Sequence, residues 1–519
     1  MTEHGWAQRF FDSYVALHRE EATTLGLSEH DGELSDVSPD GHAARAQLFA
    51  RTLEVLGDDA SLDARVVRSI CEHELDAHDA GDDLGNVELA LLPFAALRFQ
   101  ELHAATDDDR ARLFARLARL PSYLAGHRRS LELARARGVL PVRGVATEVS
   151  TLVRGAADAV ASMPSPEAEP AARALREHAD ALSAHVEEGA RDTGVLGATR
   201  VERRLVRSMQ LQSSPDALVS DARACLEEAQ RALVDAASRL ARRSLTGFAE
   251  ARELARAYES TPLCDRASEL VPAYEALLAR ASERAADAFD VPPAGAVRVT
   301  PMGDSYTHLG HAQNWPAPPL RSGARADFLV RLDAGAHPRS AAQLLTAHEA
   351  VPGHGLQSLG FARAFAGARA PVRLLRVHDD VAGAHGHFGA MLSIEGWATY
   401  AEERMRGLGY YDSEGDLFAI VVRAIRAARV VVDLGLHTGA MSIEEGVRFL
   451  IEEACMSPAA AARELSRYQR IPLQALTYLT GARMFERARE RAAALPGFDE
   501  RRFHARLIAE GPVLPGTTD

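Results

Sequence analysis

The chain contains no lysine: all 59 of its basic side chains are arginine. That excludes Schiff-base and lysine general-base chemistry, which need an amine able to lose its proton. Cysteine is scarce and scattered, and Cys71, Cys225, Cys264 and Cys455 include no C-x-x-C pair. Four thiols in a chain this long predict reduced, mostly buried cysteines, not a disulfide framework. No stretch reaches the roughly 18 uninterrupted apolar residues of a membrane helix. Met1-Thr2-Glu3-His4-Gly5-Trp6 shows no charged region followed by an apolar run, so a cytoplasmic location is the default expectation. Net positive charge is also lacking. The 73 acidic groups against 59 arginines give −14, which argues against a nucleic-acid or anionic-membrane surface.

What the chain does have is length and helical period. Its 519 residues suffice for a large buried core. Apolar residues recur at three- and four-residue intervals over Ala43 to Leu56, Arg110 to Arg137, Ala217 to Leu254 and Ala267 to Phe289, which predicts amphipathic helices. Ser214-Pro215, Ser457-Pro458 and the capping box Ser442 to Glu445 read as helix starts. Strand signals are confined to Val297 to Thr300 and Asp327 to Leu332, on either side of a loop rich in Gly, Pro, His and Asn. The expectation is a mainly α protein with one small sheet. Residues 1–290 form a helical portion with few candidate catalytic groups, and residues 291–519 carry nearly every motif, unless the whole is one continuous fold. Pro164 to Pro170 reads as a short connector.

The densest motif is Thr346-Ala347-His348-Glu349-Ala350-Val351-Pro352-Gly353-His354. Zinc hydrolases commonly place two histidines four apart on one helical face. Here the spacing is six, about 240° round an ideal helix, so an unbroken helix would point the imidazoles apart. Pro352 removes a backbone donor and clashes with the carbonyl of His348, and Gly353 relaxes steric limits. A helix broken there could bring His354 back beside His348. A catalytic zinc needs about three protein ligands and an open position. Glu395 is the best third candidate, on a segment where Glu395, Thr399 and Glu402 share one helical face. Glu349, adjacent to a ligand but pointing elsewhere, suits the transfer of a proton from attacking water to the leaving amine. Taken singly, these residues also fit a solvated helix face and an ordinary Pro-Gly turn. His378, His385 and His387 are competing ligands in a Gly- and Asp-rich stretch that reads as loop.

Further along, Leu417 to Thr438 reads as a helix bearing Arg429, Asp433 and His437 on one face. His437, oriented by Asp433, could hydrogen-bond a developing oxyanion; the alternative is an exposed salt-bridge ladder. Tyr478, near Tyr468 and Gln474, could do the same, or pack in the core.

Together these segments resemble a bacterial family catalogued as domain of unknown function 885, with kinship to zinc metallopeptidases. The resemblance runs through Glu21 to Leu27, Asp31 to Asp36, His348 to Gln357, Glu395 to Ala398, Arg429 to His437 and Pro472 to Tyr478. It implies His348, His354 and Glu395 as metal ligands and Glu349 as general base. It also implies a helical, two-lobed peptidase architecture with its cleft beside the sheet. Two positions depart from the family pattern: Gly355 stands where a second histidine is usual, and Leu473 where glycine is usual.

The leading expectation is a zinc-dependent peptidase for short peptides, with His437 or Tyr478 stabilising the oxyanion and Asp327 to Leu332 offering a strand edge to substrate. The rivals are a metal-dependent amidase for a non-peptide substrate and a non-catalytic helical binding protein.

Overall fold

The computed structural model describes residues 5–303, 311–321 and 323–515. Met1 to His4, read above for a leader, lie outside the described residues, as does the 304–310 part of the loop between the strands. Helices dominate, and they begin where a side-chain oxygen can take an unpaired amide hydrogen. Ser214 accepts from Ala217, Ser457 from Ala460, and Ser442 with Glu445 forms the expected reciprocal box. A second box, Thr106 with Asp109, starts the long helix Asp107–Ala136. The expected span from Ala217 to Leu254 is two helices, Pro215–Ala241 and Phe248–Glu259. Arg242 turns left-handed at φ 53° and ends the first. The apolar period continues across the break because Leu233, Ala237, Ala251 and Ala255 share one core with Leu417 and Ile420. The Pro164 to Pro170 connector is shorter than expected, since the helix Ala168–Glu187 starts inside it with Pro170 in its first turn.

The sheet has three strands: β1 (Val297–Pro301), β2 (Ala312–Trp315) and β3 (Ala326–Val330), in the order β1-β3-β2. β3 runs parallel to β1 and antiparallel to β2. All five β3 residues are buried, and Asp327 among them is paired with Arg298 at 2.7 Å. This corrects the expected substrate edge. β3 is the central strand, with both its edges already bonded; the outer strand facing the cleft is β2, which came from the segment read as loop.

No packing boundary falls at residue 290. Phe10, Tyr14 and Phe49 share one core with Val297, Phe328, Trp397 and Phe485. A second core joins Val201 and Leu226 to Leu392 and Val431. The helix Gly389–Gly407 and the helix Thr477–Ala493 cross in close contact, because Gly396 and Gly481 meet backbone to backbone. A Cβ on Gly481 would lie 2.0 Å from the Leu392 carbonyl. That crossing fixes Glu395 and Tyr478 relative to each other. Among the described residues no helix is long and apolar enough to cross a membrane.

Candidate metal centre

The expected break between the histidines is present. The helix Arg339–Leu345 widens into a π turn over Thr346–Ala350, becomes extended at Val351, passes a cis Val351–Pro352 bond and restarts as the helix His354–Ala364. Gly353 is required there, since a Cβ would lie 1.8 Å from the His348 carbonyl oxygen. The turn is held by the Gly353 N–H on the Ala347 carbonyl at 2.9 Å and the Trp397 indole N–H on the Pro352 carbonyl at 3.0 Å. The two imidazoles end with ring centroids 4.7 Å apart and planes at 80°.

Glu395 completes the group. Its Oε2 lies 3.5 Å from His348 Nε2 and 3.6 Å from His354 Nε2, and the three donor atoms lie within 4.8 Å of one another. Atoms ~2.0–2.1 Å from a zinc ion at tetrahedral angles would be roughly 3.3 Å apart, close to the two distances from Glu395 to the imidazoles. Oε2 is buried and has no hydrogen-bond partner. Burial pushes the Glu395 carboxyl upward, but the two imidazoles outweigh it and hold the group well below the usual carboxylate range. An anionic, unbonded oxygen facing two imidazole nitrogens fits a divalent cation.

One turn-pair further along the same helix, Glu402 orients the first histidine. Its Oε1 sits 2.6 Å from His348 Nδ1 and accepts from Arg426 Nη2 at 2.7 Å. This leaves Nε2 as the outward nitrogen, the usual role of a carboxylate behind a metal-binding imidazole. Burial pulls the His348 imidazole down, yet Glu395 and Glu402 raise it to about 10. A proton thus competes with any metal for this ring.

The centre opens onto a cavity of about 230 Å³ lined by Glu349, Asn314, Gln313, Asp379, Tyr478 and the three donors. Asn314 clamps Glu349 twice: its N–H donates to Glu349 Oε2 at 2.7 Å and its side-chain amide to the Glu349 carbonyl at 2.8 Å. Tyr478 stacks 6.5 Å from the His348 ring, with the Arg426 and Arg429 guanidinium carbons 5.7 and 5.2 Å from its centroid. Burial first, then Glu395, raises its phenol far above the usual value, so it stays protonated and able to donate.

Other candidates are placed elsewhere. His437 is fully buried, bonded through Nε2 to the Tyr468 carbonyl at 3.0 Å, and lowered to about 4 by burial. It follows Arg426 by eleven residues on the helix Ser413–Thr438, about 16 Å along the axis. The structure therefore removes it from the oxyanion role. The exposed-ladder alternative also fails: Asp433 is buried, raised to about 7 by that burial, and accepts the Leu473 N–H at 3.2 Å. Asp433 and His437 hold the turn that carries Gln474 and Tyr478. Leu473, where the family usually has glycine, adopts φ 70°, the left-handed conformation glycine takes freely. Gly355 is no ligand position, since a Cβ there would point at the Ala350 carbonyl, 2.7 Å away. His378 precedes the helix Asp379–His385 and lines the cavity without joining the donor group; His385 pairs with Glu74 at 3.2 Å and His387 lies against His73.

Sequence reading missed Asn314, Asp379 and the roles of Glu402 and Arg426. Glu402 alone carried a signal, its two-turn spacing from Glu395; the others come from separate elements joined only by folding.

The family of bacterial proteins of unknown function DUF885 matches residues 20–515. The chain matches no curated protein. A crystal structure from Colwellia psychrerythraea superposes with TM-score 0.80 at 18% identity, covering 99% of this chain and 96% of that one. A solved structure from Shewanella oneidensis does so with TM-score 0.72 at 20% identity, covering 99% and 98%. Both of those proteins carry the description "putative lipoprotein", and at such identity the likeness shows a shared fold alone. A match across nearly its whole length makes this chain a member of the bacterial DUF885 family.

Proposed function

We propose that the protein is a zinc-dependent peptidase acting on short peptides. One observation carries the reading: two imidazoles and an unbonded, buried carboxylate oxygen converge, with the clamped Glu349 on the wall of the same cavity. Bound there, zinc would supply Lewis acidity to a carbonyl oxygen and lower the pKa of water. Glu349 takes the proton of the attacking water and passes it to the leaving amine, its carboxylate kept in place by Asn314. Tyr478 donates its phenol hydrogen to the developing oxyanion.

The outer edge of β2 suits an extended chain. The Asn314 N–H points away from β3 toward Glu349, so by strand alternation Ala312 presents its main-chain groups on that same edge. Pairing there favours a peptide over a non-peptide acyl substrate. A non-catalytic scaffold has no use for the unbonded Glu395 oxygen. The enclosing helices favour short peptides over folded proteins, and accord with a metallopeptidase-like architecture. Four unpaired cysteines accord with a reducing, cytoplasmic setting, which cell fractionation would check. Imidazole and carboxylate donors also accept manganese and cobalt, so metal analysis of protein purified without added metal identifies the ion.

Glu349→Gln should retain stoichiometric metal and lose hydrolysis of short peptides. Undiminished turnover in that variant would refute the assignment.

A further inference from the structure

The cavity at the metal centre has an uneven charge balance. Its described lining includes the carboxylates of Glu349, Asp379, Asp380 and Glu395, and no arginine. Three of the four are accounted for. Glu395 faces the two imidazoles, Glu349 takes the Asn314 N–H, and Asp380 pairs with Arg98. Asp379 is exposed at the mouth and has no hydrogen bond or ion pair with any described residue, so its carboxylate is open to a ligand. It opens the helix Asp379–His385 and lies on the neck where this cavity meets a larger one of about 450 Å³, a neck shared with Gln313, Asp380 and Tyr478.

Two further acceptors stand unused beside it. Gln313 Oε1 is buried without a partner. His378, 7% exposed and on the same cavity wall, has neither ring nitrogen bonded. Burial lowers the His378 imidazole below its usual value, so one of its nitrogens keeps a free lone pair. An ammonium has three donors and no acceptor, which matches such a wall. A substrate carboxylate at this wall would face Asp379 and Glu349, since the arginines of the larger cavity, Arg98, Arg467 and Arg470, pair with Asp380, Glu464 and Glu148.

We propose that Asp379 is the docking carboxylate for a cationic nitrogen of the substrate, either its free α-ammonium or a basic side chain next to the scissile bond. The inference rests on the metal-centre reading above.

Three metal-directed probes separate the possibilities by calorimetric binding to zinc-loaded protein: leucine hydroxamate, N-acetylleucine hydroxamate and N-acetylarginine hydroxamate. A cationic probe should bind at least about tenfold more tightly than N-acetylleucine hydroxamate, the size of one charge-assisted contact. Preference for leucine hydroxamate identifies the α-ammonium; preference for the arginine compound identifies the side chain. Asp379→Asn should erase the preference and leave N-acetylleucine hydroxamate binding unchanged, whereas Asp379→Glu should keep most of it. Equal binding of all three, or a preference that survives Asp379→Asn, overturns this inference alone. Binding of none overturns the metal reading and this inference with it.

Discussion

Two clusters in this molecule place histidines beside glutamates, and they differ in what neutralises the carboxylate. At His348 and His354, Glu395 Oε2 is unbonded and faces two ring nitrogens. Around His73, His385 and His387, the Glu74 carboxylate is already claimed within the protein. Arg376, wholly buried, donates to Glu74 Oε1 at 2.7 Å, where His385 also sits at 3.2 Å; His73 is spanned by Ser208 at 3.0 Å and the His385 carbonyl at 2.9 Å. Burial drives His73 and His385 down to about 4, while His348 rises to about 10. Proximity of histidine to carboxylate is therefore no mark of a metal site. What sets the candidate centre apart is a carboxylate that no arginine has claimed, facing two imidazole nitrogens.

Ligand removal should separate the two clusters most sharply. His348→Ala should weaken zinc binding by more than about a hundredfold, beyond the range seen for an orienting partner, whereas His385→Ala should leave it unchanged. Metal content after dialysis against a competing chelator measures both; equal loss in the two variants would erase the distinction drawn here. Glu402→Gln should fall between, at about 10–100-fold, because His348 then keeps its ligand atom but loses the group that orients it.

Acidification should act on the partnered cluster. His73 and His385 protonate near 6.5 when unfolded but only at about 4 when folded. The unfolded chain thus binds more protons between those values, and stability falls as pH drops from about 6.5 to 4. Each group costs roughly 3 kcal/mol over the full window. His348 has the opposite shift and adds nothing there, since both states hold its proton below pH 6.5; its contribution is lost only as pH rises from about 6.5 to 10. Metal-free protein should take up at least about two protons on unfolding near pH 5, measured from the slope of stability against pH. A flat profile would show that these rings are not buried neutral.

The sequence carried those features whose cause is local. The broken turn is signalled by Pro352 and Gly353, and the serine caps by their own spacing. Glu395 was legible because its helix has a clear period. The features that failed depend on pairing between distant segments. β2 has four residues and little alternation, so only its bonds to β3 reveal it, and with it Asn314 and the true free edge. Arg426 reads as one arginine among 59, and Asp379 as the start of a loop.

His437 is the case where local pattern misled, and it yields the smallest expected effect. Arg429, Asp433 and His437 do lie on one helical face, but that face runs away from the candidate metal centre as the helix advances. His437 uses Nε2–H on the Tyr468 carbonyl. His437→Asn keeps a donor on a shorter side chain, so it should cost about 1 kcal/mol of stability, the worth of one weakened hydrogen bond. Zinc affinity and the turnover of any cleaved peptide should stay within about twofold of wild type, because a change of that size is under ~0.5 kcal/mol. Thermal unfolding and steady-state kinetics on the same preparation read both quantities. A selective fall in kcat with stability intact would return His437 to the oxyanion and require the helix to present it to the cleft.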